Sequence, residues 1–535
     1  MAGKLNPQIL AQHVHMQAEA RPDHKILTFE DPDPAKEKIV TYGSLHQGAT
    51  ALAGWFNERG LQSGDKVAIL MRNHPEFVEA LVAVTISGVV LVPIDPRTRG
   101  AKLSYQLSNA GARMVLCTDD LVEHLTEDVL APTRVESCLL LRSDTSSPLP
   151  DLPVETIDYA GIRDQDWPAP DHRVQNAKQP MQIIYTSGTT GDPKGVVLGG
   201  DRAASSAMLA SGVFGYKPDH VLYTGLSLTH GNAQMVTCFP AIYLGNHAVI
   251  SERFTRTRIW DICRRYGVRT WSNLGGIISG VYNMPPRDDD RDHQVEYIIS
   301  AGTPRAIWQP FMDRFGVDIL EWYAAVEGGM CWKPRGQGPV GSFGQPMPGM
   351  LDVRVVREDD SDCEPGETGE LISRPAGGGR AEVEYYGNKK ASEEKTAGGW
   401  LRSGDMVHRD EEGWLFFDFR KGGGIRRNGD FIATDFIERV IGEHEDIAEV
   451  FVYGIPAASG APGESDVVAA IVAAGPGTPD LDSLRAKCRR ELEPNMVPGW
   501  LQLVPEIPKT ISEKPQARFL QEQFRPDAEG VFSGS

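Results

Sequence analysis

Ile184-Tyr185-Thr186-Ser187-Gly188-Thr189-Thr190-Gly191-Asp192-Pro193-Lys194-Gly195 sets four hydroxyl side chains, three glycines and one lysine behind Met181–Tyr185, an apolar run that reads as a strand. Backbone N–H groups freed by glycine, hydroxyl donors and an ammonium are what a loop needs to hold a polyphosphate. A short Thr-Ser-Gly tripeptide would read as an exposed turn; the length of this run is what lifts it above that. It is not a Walker loop, because Gly195 follows Lys194 where that motif requires Ser or Thr. A nucleoside-triphosphatase motor is therefore disfavoured.

Upstream of the run, apolar residues at Leu45, Ala49, Leu52 and Phe56 form a helical stripe that starts near Ser44 and stops at Gly60. The pattern then predicts strand Val67–Met71, helix His74–Ser87, strand Val89–Asp95, helix Lys102–Ala110 and strand Met114–Thr118. Such alternation predicts an α/β fold, with helices covering a largely parallel sheet. The stretch from Ser143 to Pro180, dense in Pro, Asp and Ser, reads as a surface connection leading into the loop strand. Downstream, Gly422-Gly423-Gly424 after Lys421 relaxes the backbone between two well-patterned regions and marks a domain boundary. Residues 1–421 then form a large N-terminal domain. Residues 422–535 form a small α+β domain, with helices at Thr434–Gly442 and Leu481–Leu492 and strands at Val450–Gly454 and Val467–Ala473.

Composition narrows the function. A chain of 535 residues with 41% hydrophobic and 24% charged residues is ordinary globular material, too long for one core. A formal net charge of −19 argues against nucleic acid or an anionic membrane as partner, since phosphate backbones demand a basic footprint. The longest apolar stretch, Ala80 to Pro93, is interrupted by Thr85, Ser87 and Gly88 and is too short to span a bilayer, so no membrane span is expected. Met1 to Lys25 lacks the apolar core of a secretory signal, which points to the cytoplasm. Seven cysteines without a CxxC pair suggest reduced structural thiols rather than zinc or disulfides. A homodimer is compatible with the sequence.

The Thr186–Gly195 run closely resembles the phosphate loop of the adenylate-forming superfamily, which contains acyl-CoA synthetases, firefly luciferase and peptide-synthetase adenylation domains. The resemblance extends in order from Tyr42-Gly43-Ser44-Leu45 to the C-terminal lysine segment. It implies a large α/β domain of layered sheets and helices plus a small mobile α+β domain. It also implies that Thr186, Ser187, Gly188, Thr189, Thr190 and Lys194 meet the phosphates of ATP. Ser300-Ala301-Gly302-Thr303-Pro304 resembles the adenine-binding turn, with Gly302, Thr303 and Pro304 at the base. In Glu321-Trp322-Tyr323-Ala324-Ala325-Val326-Glu327, Tyr323 matches the ring that stacks on adenine and Glu327 the carboxylate that holds Mg²⁺, while Val326 stands where a hydroxyl is common. Asp405 corresponds to the aspartate that accepts from both ribose hydroxyls, and Arg420 to the arginine near the ribose.

By the same resemblance Lys514, in Pro508-Lys509-Thr510-Ile511-Ser512-Glu513-Lys514, bridges the substrate carboxylate and the α-phosphate during adenylation. A cation is needed there because negative charge builds on the pentavalent phosphorus. Members that make thioesters rotate the small domain between half-reactions, and Gly423 occupies the pivot that is Asp or Lys in the family. Arg426, Arg427 and Gly429 match the loop that closes over the pantetheine of coenzyme A. Glu513, and His230-Gly231-Asn232-Ala233-Gln234, resemble the crotonobetaine/carnitine CoA-ligase branch. His230, Trp271, Asn273 and Gly275 are expected in the acyl pocket, His230 with a catalytic role as well, and no aspartate stands ready for an α-amine. The expected reaction joins a small-molecule carboxylic acid to coenzyme A through an acyl-adenylate, using ATP and Mg²⁺. Loading of a carrier-protein phosphopantetheine and a non-catalytic nucleotide-binding role remain as alternatives.

Overall fold

The computed structural model describes residues 5–534 except 144, 145, 147, 164, 166, 169, 171, 187–192, 422–424, 428, 429, 433, 458–464, 493, 495 and 511–514. Among them a seven-stranded sheet is centred on strand Lys66–Leu70, which pairs in parallel with Val90–Ile94 and Ala112–Thr118. Ser137–Leu141 and Glu155–Asp158 extend one side. On the other, Pro180–Thr186 adds in parallel and then turns back into antiparallel Lys194–Gly199. The phosphate-loop candidate is thus the connection of a hairpin at the sheet edge, with Thr186 opposite Lys194 at its neck.

The other large sheet has thirteen strands of two kinds. One half is parallel, Lys25–Glu30, His247–Ser251, Val221–Thr224, Val268–Leu274, Tyr297–Ala301 and Asp318–Ala325, with Lys38–Thr41 added antiparallel at its outer edge. The other is antiparallel, running through Gly328–Lys333, Ser342–Pro346, Leu415–Arg420, Leu401–Arg409, Gly369–Pro375 and Leu351–Val356. Helices Tyr42–Glu58 and Pro75–Ser87 lie between the two sheets. Every residue of Pro75–Ser87 is buried, and its side chains share one core with Val67 and Ile69 of one sheet and Leu222, Val249 and Ile298 of the other. A helix apolar on all sides has to be covered on all sides. The opposite face of the seven-stranded sheet is closed by Leu103 and Leu107 of helix Gly100–Ala110.

The antiparallel half curls. Strand Asp318–Ala325 is four steps from Leu401–Arg409 in the strand order. At about 4.8 Å per step a flat sheet would separate them by roughly 19 Å. Tyr323 nevertheless reaches Asp405 with its hydroxyl at 2.5 Å. A separate small core of Cys331, Phe343, Val355, Leu371, Val407 and Leu415 fills the inside of the curl. The bend needs close backbone approach at Gly344, whose φ is +109° and where a Cβ would lie 2.0 Å from the Trp332 carbonyl oxygen.

Beyond residue 424 a four-stranded sheet, Ile447–Pro456, Ser465–Ala473, Trp500–Leu503 and Val531–Ser533, carries helices Thr434–Gly442 and Leu481–Glu491 over its own core of Ile437, Ile441, Val467, Leu484 and Leu501. The expected α/β architecture with a smaller α+β unit is what the chain forms. All seven cysteines are buried and unpaired. No helix among the described residues is long and apolar enough to cross a membrane.

Candidate active site

The parallel strands end on one side of the sheet, where ligands of α/β proteins gather. There the chain places the segment after Val221–Thr224, the start of helix Gly275–Tyr282, the turn after Tyr297–Ala301 and the Ala325–Glu327 corner. The curled antiparallel half brings Asp405 and Arg420 to the same place. These two are register partners on neighbouring strands, with Arg420 Nε 3.6 Å from Asp405 Oδ1. Asp405 Oδ2 accepts from the Tyr323 hydroxyl, and the Asp405 N–H donates to Ser403 Oγ at 2.9 Å. The Tyr323 ring packs against Phe343 with centroids 4.9 Å apart. Burial, reinforced by the Asp405 carboxylate, holds its phenol far above the usual range, so it stays a donor. A small cleft lined by Tyr323, Gly329, Leu371, Leu401 and Ser403 opens beside it.

Glu327 is buried at the corner, and its Oε1 accepts from the Tyr385 hydroxyl at 2.9 Å. The ring of Tyr385 in turn lies under Lys194, whose Nζ is 5.4 Å from the ring centre. Tyr385 belongs to a segment that pairs with strand Lys194–Gly199 through Tyr386 N–H to Gly195 O and Val197 N–H to Glu384 O. One tyrosine therefore joins the neck of the phosphate-loop hairpin to the proposed metal carboxylate. Arg202 donates to the carbonyl of Val326 at 3.1 Å and fixes the corner from the start of helix Asp201–Gly212; burial lowers its pKa.

Lys395 completes the cluster from helix Lys389–Lys395. Its ammonium donates to Ser403 O at 3.1 Å and feels both Glu327 and Asp405, which favour its charge, while burial pulls its pKa down. None of Tyr385, Arg202, Lys395 or Glu321 was singled out from the sequence. Glu321 opens the Glu321–Glu327 segment without being one of its matched positions, and the other three carry no sequence signal beyond residue type.

Gly302, Thr303 and Pro304 form a turn with Gly302 at φ +89°, and Pro304 caps helix Arg305–Phe315. Of the residues expected at the acyl group, His230 lies just before a π-helical stretch, Ala233–Cys238, a local widening that recurs at functional sites. The preceding loop is pinned by Asn73, whose amide donates to Leu226 O and Ser251 O and accepts from Leu228 N–H. Trp271 is fully buried between Phe254 and Trp260, and Asn273 is turned toward Ser300 Oγ at 2.9 Å. Gly275 opens helix Gly275–Tyr282. Around them Thr224, Thr237 and Ser272 form a buried hydroxyl chain.

Several expected site residues lie outside the described residues: Ser187, Gly188, Thr189 and Thr190 of the phosphate loop, Gly423, Gly429 and Lys514. Arg426 and Arg427 are on strand Ile425–Arg427, which pairs with Asp430–Ile432. Arg427 donates to Val497 O at 2.8 Å, so its guanidinium is engaged within the small domain.

Residues 14–379 match the family described as AMP-binding enzyme, and residues 437–514 match the AMP-binding enzyme C-terminal domain. The chain is 30% identical over 454 residues to the medium/long-chain-fatty-acid–CoA ligase FadD17 of Mycobacterium marinum, covering 83% of each chain. It is 28% identical to the sulfoacetate–CoA ligase of Cupriavidus necator, covering 96% of this chain and 98% of that one. Its fold matches the anthranilate CoA ligase AuaEII in complex with anthranoyl-AMP, with a TM-score of 0.83 at 18% identity and 96% of each chain covered. It also matches the o-succinylbenzoate coenzyme A synthetase of Bacillus subtilis in complex with ATP and magnesium, with a TM-score of 0.75 at 22% identity over 95% and 98% of the two chains. These relatives are not crotonobetaine or carnitine ligases, and the nearer likeness to that branch, expected from Glu513 and the His230–Gln234 run, is corrected accordingly. With a match that spans both parts and a relative of that identity, the chain belongs to the adenylate-forming AMP-binding enzyme family.

Proposed function

We propose that the chain is an AMP-forming acid–CoA ligase whose nucleotide site is the cluster of Tyr323, Asp405, Arg420, Glu327, Tyr385, Lys194 and Lys395. The observation that carries the reading is the meeting of Asp405 with Tyr323, from strands far apart in the sheet order, beside Glu327. Asp405, already holding one phenol donor on Oδ2, keeps Oδ1 for the ribose hydroxyls. Glu327 uses Oε1 on Tyr385 and keeps Oε2 as a hard oxygen donor. One carboxylate together with substrate phosphates is how Mg²⁺ is commonly held, and the residues fit it. Bound magnesium would neutralise phosphate charge. Lys194 supplies a cation at the neck of the loop that would cradle those phosphates.

In this reading the small domain brings Lys514 to the α-phosphate for adenylation. It then turns about Gly423, at a boundary after Lys421, so that the thiol of coenzyme A, guided by Arg426, Arg427 and Gly429, attacks the acyl-adenylate. The acid sits by His230, Asn273 and Gly275. Medium- and long-chain fatty acids are the substrates to try first, because FadD17 is named for them; sulfoacetate is the polar contrast. The test is acid-dependent ATP–pyrophosphate exchange across such a panel, followed by AMP release with and without coenzyme A. Exchange with no acid in the panel would overturn an adenylating role for these substrates. AMP release driven by a phosphopantetheinylated carrier and not by free coenzyme A would replace the acceptor.

A further inference from the structure

Beneath the Gly302–Pro304 turn lies a carboxylate that the reading above does not use. Glu321 is 2% exposed and is the register partner of Ser300, which leads into the turn. Its Oε1 accepts from the backbone N–H groups of Gly302 and Thr303 at 2.5 and 3.1 Å, and its Oε2 lies 2.7 Å from Thr303 Oγ1. Thr303 Oγ1 is 2.6 Å from Ser300 Oγ, which accepts from Asn273 Nδ2 at 2.9 Å. When Thr303 gives its hydroxyl proton to the carboxylate, Ser300 donates to Thr303. An ordered chain of donors then runs from Asn273 through Ser300 and Thr303 to Glu321, linking the acyl-side strand to the base-side turn.

A buried carboxylate is costly unless its lone pairs are filled. The left-handed Gly302 turns two successive N–H groups inward, and a single carboxylate oxygen meets both, as in an anion-binding nest. We propose that Glu321 is the positioning residue of the nucleotide's base site, fixing residues 302–304 in the shape that receives adenine. The proposal rests on the reading that this turn is the base site.

The neighbouring elements present few charges to Glu321. Lys333 is its partner on Gly328–Lys333, with the ammonium drawn over the Trp308 ring of helix Arg305–Phe315 at 4.3 Å; Tyr297–Ala301 presents Ser300. Burial pushes the Glu321 carboxyl up to about 7 against the pull of Thr303, Gly302 and Lys333. Protonation makes one oxygen a donor, reverses the hydroxyl chain and weakens the hold on the turn. Affinity for the base should therefore fall as pH drops through about 7.

Adenosine, which carries no group titrating between pH 6 and 8, is the probe, read as competitive inhibition of ATP–pyrophosphate exchange by the full chain. Glu321→Gln keeps the shape and one acceptor oxygen but not the charge. It should raise the adenosine inhibition constant roughly threefold to tenfold at pH 8, the difference between a charged and a neutral hydrogen bond. The pH dependence of wild type should disappear. If Glu321→Gln leaves inhibition and its pH dependence unchanged while Gly302→Ala weakens adenosine, the turn is the base site and Glu321 does not position it. If Gly302→Ala is also without effect, the underlying reading of the turn fails instead. Should Glu321→Gln not fold, Thr303→Val removes one donor from the carboxylate and should move the pH midpoint upward; an unmoved midpoint overturns the proposal.

Discussion

Replacing Asp405 by Asn tests the nucleotide site most directly, because the structure says what each oxygen is doing. Oδ2 is engaged by the Tyr323 hydroxyl, and Oδ1 faces Arg420 Nε at 3.6 Å, beyond hydrogen-bond reach. Arg420 is 42% exposed on its side chain, so little energy is assigned to that pair. The Asn amide would turn its oxygen to the Tyr323 donor and its NH₂ toward Arg420 and the ribose. A ribose hydroxyl can still accept from that NH₂, so the net loss is about one charge-assisted hydrogen bond, roughly 1.5–3 kcal/mol. That corresponds to about 10- to 150-fold in ATP affinity. Equilibrium binding of ATP, 2′-deoxy-ATP and 3′-deoxy-ATP to both proteins, with melting temperatures alongside, makes the comparison. In wild type each missing hydroxyl should weaken binding; in Asp405→Asn the second loss should largely vanish, since two groups that interact do not contribute additively. Unchanged ATP affinity with a lowered melting temperature, or fully additive losses, would make Asp405 a structural partner of Tyr323 and refute the ribose assignment.

Lys514→Ala should lower pyrophosphate exchange on the order of 10²–10³-fold, the scale of losing one transition-state charge partner, and exchange within about twofold of wild type would remove the assignment. Gly423→Pro fixes φ and restricts the residue before it, and single-turnover kinetics should show thioester formation from a supplied acyl-adenylate suffering more than adenylation; equal loss in both steps would point away from this pivot. Lys395→Met should raise the KM for ATP about tenfold while leaving the melting temperature nearly unchanged, because its ammonium serves Glu327 and Asp405 rather than core packing; the reverse pattern would make it a helix anchor. Glu79 accepts from Tyr159 and Arg163 between helices, and burial raises its carboxyl to about 7. Its folded pKa lies above its unfolded value, so its contribution is present below the unfolded pKa and lost as pH rises to about 7. The stability difference between wild type and Glu79→Gln should follow that slope in denaturant melts from pH 4.5 to 7.5, and a flat difference would contradict it.

The N-terminal elements were legible because their burial is one-sided or complete. Leu45, Ala49, Leu52 and Phe56 repeat at helical spacing and are fully buried in helix Tyr42–Glu58. Helix Pro75–Ser87, strand Val90–Ile94 and strand Ala112–Thr118 fall within two residues of their expected bounds. In the small domain helices Thr434–Gly442 and Leu481–Glu491 and strand Ser465–Ala473 also fall within two residues of expectation, strand Ile447–Pro456 begins three residues early, and the short strands Trp500–Leu503 and Val531–Ser533 were not expected. The antiparallel strands between 342 and 420 gave no such signal. Leu401–Arg409 carries Arg402, Asp405, His408 and Arg409 on a half-buried surface and includes Gly404 at φ +76°, so neither alternation nor apolar run stands out.

The same strands explain why the residues of the proposed site could be picked out by type but not by company. Motif matching supplied Tyr323, Glu327, Asp405 and Arg420 as isolated letters. Their meeting depends on a sheet that curls until strands four places apart come face to face, and curvature of that kind is written in a few glycines, of which Gly344 tolerates no side chain at all. Once the curl exists, the positions facing its inside are filled either by the small apolar core around Phe343 and Val407 or by groups that serve a ligand. Tyr323 does both, with its ring on Phe343 and its hydroxyl on Asp405. Tyr385 and Lys395 come from the segment that precedes Leu401–Arg409 and reach the proposed site because that segment also pairs at Val196 with the hairpin of Pro180–Thr186 and Lys194–Gly199. One stretch of chain thus couples the neck of the loop, Glu327 and Asp405. A substitution at Tyr385 should therefore be felt at both the phosphate and the metal ends of the nucleotide, which no reading of separate motifs would have required.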